Sequence, residues 1–405
     1  MSDSIVITGL GTVGPHGVGA KALAAALDEG RTAFTPIELS SDFHRSGSAR
    51  LAGRVDLAAL VPWLERDKAR RMSAPSRMAV AAARLALEDA AIERASLHGR
   101  DVAVCLGTGF GPNEFTARIL DQLRETGPES VSPFLFMESV ANAHAGQVAL
   151  DSGLRGANAT IVQREASGLL ALAQGLTYLS DPRCELALVG VVDEMGPLTH
   201  AMLDRFGALS RGGPFGECGR AFDAERNGFV ASEGATVLVL EREERARARN
   251  APIRARVRAA LRANDPSASA TSWGRGHAEL AFALRKGLAR HGLESRGIER
   301  VVSGASGSRA GDRLEGRVLR QLFGAQLPPV LVPKACTGEY GGGFLAAAVL
   351  ALSDLAFGPT PGFEVLDPEL EIRPHDGRRL SSARAVLVTS LAAGGAAAWL
   401  VLERV

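Results

Sequence analysis

The chain has 405 residues, 46% hydrophobic and 22% charged, with a net charge of +1. That suits a soluble protein with one large core or two fused domains, and it gives no global field for nucleic acid or a membrane surface. Cys105, Cys184, Cys218 and Cys336 lie far apart without a CxxC pair, which argues against a zinc site or a disulfide framework and for a reducing cytoplasm.

The N-terminus lacks a basic segment followed by an apolar signal core, and no apolar run reaches the length of a membrane span. Ser4 to Thr8 is a β run, followed by the Gly-rich stretch GLGTVGPHGVG, read as a turn, and by a helix from about Ala20 to Asp28. Gly9, Gly11 and Gly14 have GxGxxG spacing. Pro15 follows, however, and no acidic residue ends a second strand about 20 residues on, so a nicotinamide site is not expected. Residues 35–75 form a polar insertion with a basic cluster at Arg66, Lys68, Arg70 and Arg71. A small-residue helix is expected from Met78 to Ala91, a strand from Asp101 to Leu106 and a loop from Gly107 to Gly111, while Val131 to Val148 fits no single pattern.

Asn158 to Tyr178 is the stretch around which the chain is organised. A short β-prone run, Ala159 to Val162, passes abruptly into a small-residue apolar helix, with Glu165 at the junction. A sharp strand-to-helix turn is a common way to present a nucleophile, and a helix N-terminus favours an anion. Here the presented group is a carboxylate; the plainer reading is a first-turn acid on a solvated helix. Strands are then expected near Leu186 to Val191 and Ala235 to Leu240, with a charged helix after the second.

The second half repeats this plan. It has strands near Ile253 to Arg258, Val301 to Ser303, Val330 to Val332, Ala385 to Thr389 and Ala398 to Leu402, and helices near His277 to Arg290, Leu314 to Leu322 and Phe344 to Phe357. Two alternating halves, 1–250 and 251–405, read as a duplicated five-layer α/β/α/β/α fold.

The stretch RAFDAERNGFVASEGATVLVLE, Arg220 to Glu241, resembles the R-x-F-D-x-x-R-D-G-F-V-x-G-E-G-A signature of the β-ketoacyl synthases of type II fatty-acid and polyketide assembly. VITGLGTVGPHG, SGLRGANATIV and GDRLEGRVLRQLFG are similar to further family stretches in the same order. The resemblance runs along essentially the whole chain and implies a thiolase-like fold.

It also implies where the family's catalytic residues should fall. Laid on the T-A-C-S/T-S-G elbow, the nucleophilic Cys becomes Glu165; laid on H-G-T-S-T-P-x-G-D, the first His becomes Gly304, with Ser306 and Ser308 where the family has Thr. Laid on K-x-x-x-G-H, the second His becomes Glu339 and Lys334 is retained. The gating loop N-S-F-G-F-G-G-T-N becomes TSLAAGGAAA, with Leu391 and Ala393 at the Phe positions and Gly394 and Gly395 kept. Nucleophile, imidazole pair and gate are thus all replaced, and ordinary condensation is not expected.

The resemblance implies a chain-length factor, or ketosynthase β subunit. Such a subunit pairs with an active ketosynthase, shapes the acyl tunnel and works with an acyl carrier protein, for which Arg70 and Arg71 match the family's basic contact. No cofactor and no metal are expected. A rival reading makes Glu165 and Glu339, beside Lys334, a carboxylate pair acting on a carrier-bound acyl group; its plainer counterpart is an inert ion network including Arg164. A third is a homodimeric scaffold without an acyl ligand. His144 and the tryptophans Trp63, Trp273 and Trp399 are read as packing residues.

Overall fold

The computed structural model describes residues 4–40, 43–212, 216–341, 344–354 and 357–405. Ten strands form one continuous path: β1 (Ile5–Gly14), β2 (Val102–Thr108), β3 (Asn158–Val162), β4 (Leu186–Asp193), β5 (Gly234–Arg242), β6 (Ala255–Asn264), β7 (Arg300–Val302), β8 (Val330–Leu331), β9 (Ala385–Leu391) and β10 (Ala396–Glu403). The main helices are α1 (Ala20–Asp28), α2 (Ala74–Asp89), α3 (Asn113–Thr126), α4 (Pro133–Ser139), α5 (Ala143–Ser152), α6 (Ser167–Leu179), α7 (Pro197–Arg205), α8 (His277–Arg290), α9 (Arg309–Phe323) and α10 (Leu345–Leu350).

Outward from the centre, the first half reads β1-β5-β4-β2-β3 and the second β6-β10-β9-β7-β8. In each half the inner two pairings are antiparallel and the outer two parallel. Every strand therefore has its counterpart five strands later. The halves meet where Ile5, Val6 and Ile7 of β1 pair antiparallel with Val257, Arg256 and Ala255 of β6. This is a duplicated, thiolase-like α/β fold.

Alternation along the strands sorts side chains into layers. In β2, Val102, Val104 and Leu106 join the outer cluster under α2, while Ala103 and Cys105 face inward. In β9, Leu387 and Leu391 pack outward with α8 and α9, and Val386 and Val388 inward. The inner layer is filled by α6 and α10, whose alanines and leucines lie between the two half-sheets.

Two sequence expectations need correction, and one unassigned stretch is resolved. Gly9, Gly11 and Gly14 are not a turn but part of β1; methyl groups at Gly9 and Gly11 would strike the Ala86 and Ala82 carbonyl oxygens, so α2 lies against the strand backbone itself. The unassigned stretch from Val131 contains α4 and the start of α5, and α3 and α7 lie where no element is expected. The helix expected to run to Phe357 is described only as α10, and Leu355 and Ala356 lie outside the described residues. No helix among the described residues is long and apolar enough to cross a membrane.

Candidate functional site

β3 ends at Val162 and α6 begins at Ser167, so the chain must reverse within four residues. Arg164 makes the reversal by taking a left-handed backbone, φ 49°, at a cost of roughly 1–3 kcal/mol for a residue with a side chain. Ser167 holds the turn: Oγ accepts from Gln163 N at 2.9 Å, and its hydroxyl lies 2.7 Å from the Arg164 carbonyl and 2.9 Å from that of Thr108. Glu165 sits in the single helical turn Arg164–Ala166. Its backbone carbonyl accepts from Ser390 Oγ at 2.6 Å, which ties the elbow to β9 of the other half.

The second half supplies the facing wall. Lys334 and Glu339 are both buried, and Lys334 Nζ lies 2.5 Å from Glu339 Oε2 and 4.8 Å from the centre of the Phe344 ring. Glu339 is held by main chain on both sides: its N–H donates to Val230 O, and its carbonyl accepts from Ser232 N. The Arg220 to Glu241 signature thus reaches the site through backbone, while its own polar groups brace the surrounding loops. Asp223 accepts from the backbones of Glu225, Glu364 and Val365, and Arg226 pairs with Asp367. One free N–H of α6, that of Gly168, donates to Gly341 O at 3.0 Å. Gly342 and Gly343 lie outside the described residues.

Glu165 Oε2 is enclosed and has no hydrogen-bond partner among the described residues. Burial, and then the negative charge of Glu339, push its pKa up to about 7; its own backbone N–H, Lys334 and Arg164 counteract this less strongly. Arg164 itself donates to the Ala270 carbonyl at 2.7 Å. With Lys334 paired to Glu339, the trio is near neutrality when Glu165 carries a proton. That is the cheapest charge state for groups shielded from water, as Lys334, Glu339 and the Oε2 of Glu165 are.

Position 304 is closed. A Cβ there would stand 2.7 Å from Thr389 O and 3.2 Å from Ser390 Cα, so no imidazole fits on this backbone. Gly304 N donates to Glu315 Oε1 at 3.1 Å, and the same carboxyl oxygen accepts from Ser303 Oγ and Thr389 Oγ1. Burial raises the Glu315 pKa to about 7. Glu315 and Asp193 are the residues the sequence reading missed. Asp193 accepts from Thr108 Oγ1 at 2.6 Å and from the Gly109 and Phe110 N–H groups, and burial raises its pKa to about 6. Asp193 is signalled by a carboxylate at the end of an apolar strand, whereas Glu315 sits among the charges of α9 and has no such signal.

The remaining expected residues separate. Ser306 is buried with its N–H on Asp312, and Ser308 is the N-cap of α9, accepting from Gly311 N at 3.3 Å. Leu391 packs in the outer core, on the face of β9 opposite Ser390; it is turned away from Glu165. Ala393, Gly394 and Gly395 form the β9–β10 turn, where both glycines have φ near 90° (95° and 93°) and Gly394 N donates to Ser272 O. Arg70 and Arg71 are exposed, with the Arg71 guanidinium 5.3 Å from the Phe134 ring centre. His144 is fully buried, and burial holds its pKa at about 4. Among the described residues no group of three His, Cys, Asp or Glu side chains could hold a metal ion.

Residues 2–246 match the family described as β-ketoacyl synthase, N-terminal domain. The chain is 30% identical to the tetracenomycin polyketide synthase ketoacyl synthase beta subunit of Streptomyces glaucescens, covering 99% of this chain and 98% of that one. It is also 30% identical to a 3-oxoacyl-(acyl-carrier-protein) synthase 2 of Mycobacterium tuberculosis, over 76% and 75% of the two chains. In structure it is similar to the ishigamide ketosynthase/chain length factor, with a TM-score of 0.89, 27% identity, and coverage of 100% and 99%. On these matches and on its duplicated sheet, the chain belongs to the β-ketoacyl synthase family.

Proposed function

We propose that this chain is a non-condensing ketosynthase-like subunit, a chain-length factor, that pairs with an active ketosynthase and forms part of the tunnel for a growing polyketide or polyene chain. The observation that carries this reading is the joint replacement at the elbow and its two facing positions. Glu165 stands where a thiolate would attack, Gly304 has no room for an imidazole, and Glu339 is committed to Lys334. A carboxyl is a poor acyl acceptor because its anhydride is a high-energy adduct, and without imidazoles nothing binds the charge released by decarboxylation.

The partner is argued from surface. β3 is the end of the strand path, and Val162, Leu150, Phe136, Met137 and Leu120 are each more than half exposed. An open strand edge beside that much apolar surface calls for a protein cover. Arg70 and Arg71 would meet an acidic acyl carrier protein, and the pair would work in the cytoplasm. Residues 1–250 and 251–405 serve as its two structural halves.

One observation favours the rival reading. Glu165, carrying a proton near neutral pH and facing the Lys334–Glu339 pair, has the form of a general acid. Reconstitution with the co-encoded ketosynthase and carrier protein separates the two. Refilling the gate turn by Ala393→Phe should shift product chain length while synthesis continues, and Glu165→Gln should leave synthesis intact. Loss of all product from a correctly assembled Glu165→Gln complex would support the enzyme reading instead.

A further inference from the structure

Two histidines far from the elbow tie the Phe43–Leu51 segment to α7. Ser40 N donates to His44 Nδ1 at 3.1 Å, His44 Nε2 lies 3.1 Å from His200 Nδ1, and His200 Nε2 lies 3.3 Å from the Leu51 carbonyl. A backbone N–H only donates and a carbonyl only accepts, so the two ends of this chain fix both tautomers. His44 carries its hydrogen on Nε2 and gives it to His200 Nδ1; His200 carries its own on Nε2 and gives it to Leu51. Both rings are neutral. A proton added to His44 lands on Nδ1, against the Ser40 N–H; one added to His200 lands on Nδ1, against the His44 N–H. Either addition turns an acceptor into a donor facing a donor.

We propose that the His44–His200 pair is a pH-operated clasp, which holds the Phe43–Leu51 segment on α7 while both rings are neutral and releases it when either gains a proton. The charged groups around it are already engaged. Asp204 accepts from Ala49 N and Arg211 Nε, Glu217 accepts from Arg50 N and Leu51 N, and Arg205 donates to the Phe43 carbonyl. Arg45 and Arg50 point to solvent from the segment itself. His200 is fully buried. Burial lowers its pKa below the ordinary histidine value, and the opposing pull of the Leu51 carbonyl, Asp204 and Glu217 is smaller. A lowered histidine pKa means that the clasp is whole above about 6.5 and is lost as the pH falls below that through the His200 value. Phe43, Met202 and Phe206 are 37%, 49% and 79% exposed at this end of α7, so opening changes the apolar surface presented there.

Amide hydrogen exchange over residues 43–51 of the full chain, at about pH 8 and about pH 5.5 and corrected for intrinsic rates, tests the clasp. The expected result is loss of protection by roughly tenfold or more at the lower pH in the wild type, with far-UV circular dichroism unchanged. His44→Ala should be open at both pH values and lose the pH dependence. Equal protection of the wild type at both pH values, or a pH dependence that survives in His44→Ala, overturns the proposal.

Discussion

At the scale of single residues, Glu165 and Gly304 carry the account. Glu165 has its pKa raised from 4.5 to about 7, so the folded state prefers the protonated acid. The stability this group allows is present at low pH and is lost as pH rises from about 4.5 through about 7. Glu165→Gln keeps the shape and removes the ionisation. Its melting temperature should match the wild type near pH 5 and exceed it by on the order of 3 °C near pH 8, as measured by calorimetry across that range. An unchanged difference at both ends would mean that Glu165 titrates as an ordinary exposed carboxylate. Gly304→Ala tests the closed position directly. With a methyl 2.7 Å from the Thr389 carbonyl, β9 or the Gly304 backbone must move, and denaturant unfolding should report a loss of about 1–3 kcal/mol.

At the scale of elements, the sequence was readable where periodicity and packing agree. α1 and α8 fall on the expected residues, and the β3–elbow–α6 junction lies where the β-prone run meets the small-residue helix. It was unreadable where contact with a distant element decides the outcome. Gly9 and Gly11 look like turn residues and are strand residues because α2 lies against them. α3 carries an apolar stripe, Phe115, Ile119 and Leu123, that the reading passed over, and it buries no residue among those described. Leu391 occupies an expected gate position, yet the alternation along β9 turns it into the outer core. Asp193 and Glu315 escaped notice because their partners are main-chain groups and hydroxyls far away in sequence. The exposed end of the sheet gives the prediction at this scale. Val162 and Phe136 are 52% and 60% exposed, so Val162→Asp with Phe136→Asp should leave the melting temperature unchanged. Placed in a desolvated interface, however, the two carboxylates should weaken subunit pairing by roughly 100-fold, about 3 kcal/mol, in sedimentation or light scattering. A double variant that pairs as tightly as the wild type would remove the β3 edge as the interface.

At the scale of the whole molecule, duplication explains how a site can change character without loss of the fold. Each strand n has a counterpart n + 5 with the same pairing sense, and the cores under α2, between the half-sheets, and under α8 and α9 are continuous apolar clusters. None of these clusters includes a side chain at 165, 304 or 339. The elbow, the Lys334–Glu339 pair and the Gly304 contact lie where the two halves meet, so chemistry there can be replaced while burial elsewhere holds the architecture. The signature stretch works through backbone and ion pairs that position loops.

The most direct test of the central claim is intact-mass spectrometry with product analysis on the isolated chain. The wild type and Glu165→Cys are each incubated with acyl carrier protein loaded with acyl and malonyl groups. The account predicts no stable acyl adduct on the wild type. It predicts no condensation product from either protein, because a thiol at 165 still lacks imidazoles at 304 and 339. A condensation product from the isolated wild-type chain would contradict it.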